Sequence, residues 1–340
     1  MPDAALDLPS WAIWGNRNGW IIATFLLLAL VALLALTYVG GGNTGRTALS
    51  LEPANLERLQ LPARDEQLDR MVPATTPGDG GALLAGATAQ VVERPGLLED
   101  FLGQGGRADP ASVEPILATV RDATGRESLT LFRDPAAVLV YPRNDTRQEL
   151  RAIKNLGKAL LHAGLLRETR GDLEAATADY EAAFLLGRRL FQQRLVEEQL
   201  HYGVMLMREA SEGLASVRES AGGDSTVPRA VAKALQTWQA ERLEPMRQVF
   251  LVEDAAVTGV HVGDYIALAE ASEEPVWRIE SVLTLGRHRF NAARRPDQVA
   301  AEAEVFRLAQ EASDPHVRAA AQQARDLDLP GHRMVRFGRY

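Results

Sequence analysis

Twenty consecutive residues, Trp20 to Val39, carry no charged side chain, and a chain holding such a run has few ways to dispose of it. As a helix rising about 1.5 Å per residue it spans roughly 30 Å, the hydrocarbon thickness of a bilayer. Twelve of the twenty are Leu, Ile, Val or Phe. At about −0.3 to −0.6 kcal/mol each on an insertion scale they favour the membrane by roughly 4 to 7 kcal/mol, with no charge opposing. Trp11, Trp14 and Trp20 lie on one flank and Tyr38 at the other end, where an aromatic ring keeps its apolar body in the acyl region and its N–H or O–H among headgroups. The sequence therefore predicts an N-terminal tail over 1–19 and a single transmembrane helix over 20–39. Gly40, Gly41 and Gly42 would also admit a signal-peptidase cut. A cleavable signal, however, has a shorter apolar core behind a basic leader, and here Asp3 and Asp7 outnumber Arg17. Arg17 on one side against Arg46 and Arg58 on the other sets orientation only weakly; a short leader ahead of a large domain favours an extracytoplasmic body.

From Gly40 to about Gly106 the chain is rich in Gly, Pro, Ala and Thr without a helix or strand period, which predicts a linker, largely disordered, with one helix inside it at 56–72 and partial folding around Leu97 to Leu102. Asp109 and Pro110 open a helical stretch to about Arg121. Leu129–Phe132 and Val138–Tyr141 are short apolar runs around Asp134-Pro135, which predicts a small β-hairpin. Everything from Thr146 onward has helical periodicity, with Thr146 and Glu149 at capping-box spacing. The fold expected is mainly α: a helical domain over 107–225, further helical pairs over 226–328, and a basic tail over 329–340.

The stretch Gly157–Leu190 resembles a tetratricopeptide repeat. Leu160, Gly164, Gly171, Asp172, Ala176, Tyr180 and Ala183 fall where that family puts its large residue, its small helix-crossing residue, its turn pair and its small, aromatic, small triplet. Arg167 stands where the family has a tyrosine, and no second copy follows at 34 residues, where Arg194 and Glu198 would take apolar positions. One repeat cannot bury its own face, so this unit must pack on different neighbours. A second echo, 40 residues apart, sets Glu274-Pro275-Val276-Trp277-Arg278 with Ser281 against Asp314-Pro315-His316-Val317-Arg318 with Ala321. It is similar to HEAT-type repeats, in which an acidic cap and a proline start a helix, with Pro228 and Asp264 as candidates to open earlier members. The two resemblances imply an α-solenoid of antiparallel helix pairs.

No strong catalytic motif appears. Gly40–Thr47 reads as a phosphate loop with arginine in place of lysine, but it follows no strand and opens no helix. Glu198 and His201 have the Glu-x-x-His spacing of carboxylate-bridged metal bundles, which need a second such pair that the other histidines do not supply. Zero cysteines remove thiol chemistry. Tyr180, Phe184, Tyr202, Met205, Met207 and Trp238 lie at helical spacing and read as core before they read as a ligand pocket. No catalytic, cofactor-binding or metal residue is assigned, and no cofactor is expected. Of the formal charge of −8, all but one unit lies beyond residue 39, which disfavours nucleic acid as a partner. Gly331–Tyr340 runs against that balance: His332, Arg333, Arg336 and Arg339 interleave with Phe337 and Tyr340 without one acid, a pattern suited to anionic lipid or an acidic partner. The function expected is a membrane-tethered, non-enzymatic scaffold binding a protein or peptide partner, in a setting such as cell-envelope assembly. The competing expectations are an enzyme with a polar cleft in the helical body and a ligand-binding sensor with an enclosed cavity.

Overall fold

Helices dominate the computed structural model, which describes residues 68, 71–105, 109–132, 148–244, 250, 260–292 and 294–326. In chain order come β1 (Thr76–Asp79), α1 (Gly81–Glu93), α2 (Gly96–Gly103), a 3₁₀ turn (Pro110–Ser112), α3 (Glu114–Thr124) and β2 (Arg126–Ser128). The long helices α4 (Gln148–Thr169), α5 (Leu173–Gln193) and α6 (Glu197–Ser220) follow, then α7 (Thr226–Trp238), which runs on into a π turn at Gln239–Leu243. The last group is α8 (Val262–Ala271), α9 (Pro275–Asn291), α10 (Arg295–Glu311) and α11 (Pro315–Asp326).

Two expectations are corrected. Residues 71–103 are not linker: Met71 is buried with its sulfur 3.7 Å from Ser211 Oγ on α6, and Leu84, Leu98 and Phe101 are core. Gly80 and Pro95 stand at the starts of the two helices, while Gly81, Gly86, Gly96 and Gly103 lie within them. A Cβ on Gly80 would lie 2.1 Å from the Ala123 carbonyl oxygen, so only glycine lets the chain pass from β1 into α1. The small sheet is not the predicted hairpin either. β1 pairs in parallel with β2, Thr76 opposite Arg126, and Leu129–Phe132 runs past the end of the strand. The pairing partner sits 50 residues upstream, beyond the reach of any local turn signal, and Val138–Tyr141 lies outside the described residues. So do the predicted membrane span 20–39, Gly40–Thr47, Thr146 and the basic tail. Among the described residues no helix is long and apolar enough to cross a membrane.

Helices α4, α5 and α6 form the largest packed body. Asp172 caps α5, its carboxylate accepting from Ala175 N at 3.2 Å, after a turn in which Gly171 takes φ 81°. α4 and α5 are antiparallel, Arg167 meeting Asp179 and, a turn earlier on α4, Gly164 lying against Tyr180. α5 and α6 are antiparallel as well, Gly187 lying against Gly203 and Tyr180 against Gly213. α4 and α6 consequently run parallel: Lys154 sits over Tyr202, Gly157 against Leu206 and Glu168 against Ser216. The step from α4 to α6 is thus about 48 residues, because α4 and α5 are both long. α1, α2 and α3 pack on α4 and α5, and α7 on α6.

Helices α8 to α11 form a second stack, with Trp277 and Tyr265 almost wholly buried and Phe250 lying parallel to Trp277 at 5.8 Å. α9 and α11 both begin on an acid followed by proline. Asp314 caps α11, accepting from His316 N at 2.8 Å, whereas Glu274 caps nothing and instead meets Arg194 at 3.2 Å. Arg278, four residues on, reaches Asp314 at 3.6 Å. The two stacks join where Glu197 N, at the start of α6, donates to Glu280 on α9 at 2.8 Å.

Candidate functional site

Along one edge of α4, residues Lys158, Leu161, His162, Leu165 and Glu168 recur at the three- and four-residue spacing of a helical stripe. α6 presents Glu209, Glu212, Gly213 and Ser216 at the same spacing, and because the two helices run parallel the stripes face each other across an open groove of about 420 Å³. Its floor is Tyr180 of α5. The ring fits because both flanking helices carry glycine where it passes: a Cβ on Gly164 would meet it at 2.8 Å and one on Gly213 at 2.5 Å. The phenol donates to Glu168 Oε2 at 3.0 Å, and Ser216 Oγ donates to the other carboxylate oxygen. Glu168 thereby fastens all three helices. Burial, reinforced by the hydrogen bond to Glu168 and its charge, pushes the Tyr180 phenol well above its ordinary range, so it stays neutral at physiological pH. Both hydroxyls serve one carboxylate as fasteners; neither is set up as a nucleophile, which needs a base held in turn by a third group.

The charge in the groove is uneven. Glu168 receives only neutral donors, Glu212 is exposed and makes no hydrogen bond or ion pair among the described residues, and Glu209 is 3.4 Å from Arg208. Lys158 is exposed toward the other end. Leu165 is 54% exposed, a large apolar side chain left open between acids, with Leu161 beside it. His162 lies edge-on to Phe101 at 5.0 Å, its Nε2 shielded from water and without a hydrogen-bond partner among the described residues. Further along, Lys154 Nζ lies 4.9 Å above the Tyr202 ring, and burial together with Lys158 and Arg151 pushes its amine down.

Behind the groove, on the far side of α5, lies a closed ring of charge. Asp179 has no exposure and accepts from Arg121 at 2.5 Å and Arg167 at 2.8 Å; both guanidinium groups also bind Glu114. Burial pushes the Asp179 carboxyl up against the pull of Arg167 and Arg121. The ring joins α3, α4 and α5 and gives Arg167 its role, a cation for Asp179. Glu114 and Arg121, seven residues apart on one face of α3, were the available sequence signal, and only the fold brings them to Asp179.

Glu198 and His201 are set apart. His201 Nδ1 is 3.8 Å from Glu244, and among the described residues no group of three His, Asp or Glu side chains gathers as a metal set. Of the aromatic and Met residues on α5 and α6, Phe184 and Met207 are fully buried core, while Tyr180 is the floor of the groove. No family model, no curated protein and no solved structure matches this chain.

Proposed function

We propose that this chain is a membrane-tethered helical scaffold that receives a segment of a protein partner in the groove between α4 and α6. The observation that carries the proposal is the groove itself: an open channel between two parallel helices, floored by a locked aromatic ring, with exposed Leu165 in a lining that includes Glu168 and Glu212, neither of which makes an ion pair among the described residues. Exposed apolar surface rimmed by polar groups is the mark of an interaction site, and stacked helices present such surfaces as binding faces. The charge-free run Trp20–Val39 supports the tether, and the tetratricopeptide-like and HEAT-like spacings support an α-solenoid body. An open channel favours binding over catalysis, which needs an activated group in an enclosed, desolvated site. The test places p-benzoylphenylalanine at Leu165 in the full-length chain in its native membranes. Illumination is expected to give a discrete adduct with a second polypeptide, lost on Glu212→Lys and absent with the same probe at Phe306. Adducts with lipid alone would overturn the scaffold.

A further inference from the structure

The groove between α4 and α6 is lopsided in charge along its length. At one end stands Lys158, exposed and without a hydrogen bond or ion pair among the described residues. Lys154, one turn earlier, already lies 4.9 Å above the Tyr202 ring with the charge of Glu198 near it, so of the two amines Lys158 is the one left for a ligand. At the other end are Glu168 and Glu212. Glu168 takes one hydroxyl on each carboxylate oxygen, which leaves about two of the group's four acceptor sites open. Glu212 is exposed and makes no hydrogen bond or ion pair among the described residues, whereas Glu209, a turn before it, is drawn off by Arg208 at 3.4 Å. Leu161 and Leu165 lie between the two ends on α4. From Lys158 to Glu168 the helix rises about 15 Å, at about 1.5 Å per residue.

We infer that the partner segment this groove reads is an extended stretch of the form acid-x-aromatic-x-base, its carboxylate on Lys158, its ring on Leu161 and Leu165, and its cation between Glu168 and Glu212. The inference rests on the groove being a binding surface and adds the chemistry of what binds. In an extended chain the side chains alternate, so the first, third and fifth residues share one face and span about 13 Å. That matches the ~15 Å between the groove's opposite charges. A helix would need its charges ten residues apart, and a cylinder of that length and ~10 Å diameter fills about 1,200 Å³, against the groove's 420 Å³. Both signs are required, because a second acid would face Glu168 and Glu212 and a second base would face Lys158. Arginine is the better cation, since its planar fork pairs two oxygens at once.

The test titrates peptides carrying a neutral dye against the full-length protein in mild detergent, read by fluorescence anisotropy at low salt. Thr-Thr-Asp-Thr-Phe-Thr-Arg-Thr-Thr should bind about fivefold more tightly than its versions with two Asp or two Arg. It should also bind more tightly than an alanine-rich helical peptide with Asp and Arg ten residues apart. Lys158→Glu should turn the preference toward the two-Arg peptide, and Glu212→Lys should relax the discrimination against the two-Asp peptide. Both positions are exposed, so neither change touches the core. Binding blind to the charge pattern, a preference for the helical spacing, no binding of any peptide at millimolar concentration, or a ranking that both reversals leave unchanged would overturn the inference. Failure here is separable from failure of the scaffold. If the Leu165 probe captures a partner and Lys158→Glu leaves that capture unchanged, the charge pattern falls and the scaffold stands. If the peptides rank as expected while Leu165 captures no polypeptide in the membranes, the scaffold falls and the groove's chemistry stands.

Discussion

The α4–α6 body and the α8–α11 stack solve the same packing problem by different means. In the first, backbones come into direct approach: a Cβ on Gly203 would lie 2.7 Å from both the Gly187 carbonyl oxygen and the Phe191 nitrogen. Charge is gathered into one ring with Asp179 wholly buried at its centre. In the second, α9, α10 and α11 each begin at or next to a proline, and charge is spread in pairs along the edges, Arg278 with Asp314 and Arg307 with Glu270 at 2.5 Å. Its closest glycine contact is with a methyl group, that of Ala324 against Gly286. The first region therefore depends on a few contacts that nothing can replace, the second on many that can each be lost. A binding groove whose walls are two parallel helices needs the first kind of support, since its width is set by where the backbones stop.

The largest effect expected from that difference is at Asp179. Asp179→Ala leaves Arg121 and Arg167 facing each other with half their partners gone, which should cost about 3 to 5 kcal/mol. Arg307→Ala, at the exposed pair with Glu270, should cost no more than about 1 kcal/mol. Urea denaturation of both variants checks this, and equal losses would abolish the contrast between the regions. Next in size, Gly203→Ala should cost about 1 to 3 kcal/mol because the added methyl meets backbone that cannot turn away. Gly286→Ala should cost less, its neighbour being a methyl that the stack can shift. A Gly286 loss as large as that at Gly203 would mean that the α8–α11 stack is as tightly registered as the other.

How much of this was legible follows from which forces are local. The mainly helical character was written in apolar periodicity from residue 148 on, and the small residue Gly164 marked where a helix is approached closely. The parallel pairing of β1 with β2 was not legible, since strand partners 50 residues apart leave no signal in either segment. Residues 71–103 misled because Gly and Pro stand within and at the starts of folded helices as well as in linkers, and only the burial of Leu84 and Leu98 separates the two. The groove was hidden for another reason. Its stripe on α4 was readable as one face of a helix, but its partner stripe on α6 lies about 48 residues on, a period that no repeat pattern suggested. Arg167 was visible as a cation on an otherwise apolar helical stretch; that it feeds a buried ring required Asp179 to be seen inside the helix pair.

A smaller effect separates the acid-proline starts of the second stack. Asp314→Ala removes the cap of α11 and should cost about 0.5 to 2 kcal/mol, with Asp314→Ser recovering most of it because a hydroxyl also accepts from the first turn. Glu274 accepts from no backbone N–H of its own helix, so Glu274→Ser should recover nothing lost in Glu274→Ala. Recovery at both positions, read from the urea midpoint, would show that the two starts work alike.

The smallest effect is one of slope with pH, and here the regions act with opposite sign. The Asp179 carboxyl is held above its ordinary range by burial, so the folded chain binds that proton more tightly than the unfolded chain does. Its contribution to stability is lost as pH rises through the folded value and regained as pH falls toward 3.8. Glu219 at the end of α6 behaves in reverse. The hydrogen bonds from Arg229 and Ser225 pull it down to about 2 from 4.5, so its contribution is present above 4.5 and fades as pH falls through that interval. Asp79, held down chiefly by the Thr130 N–H, adds to the same acid loss. The urea midpoint of the wild-type protein between pH 6 and pH 3 should therefore bend: the Asp179 gain opposes the exposed acids at first and is overtaken as they protonate. Asp179→Asn should remove the opposing limb and leave a monotonic fall, whereas Glu219→Gln should flatten the acid end. If Asp179→Asn instead leaves the bend untouched, the buried carboxyl does not titrate in this window, and its two arginines hold it ionised throughout.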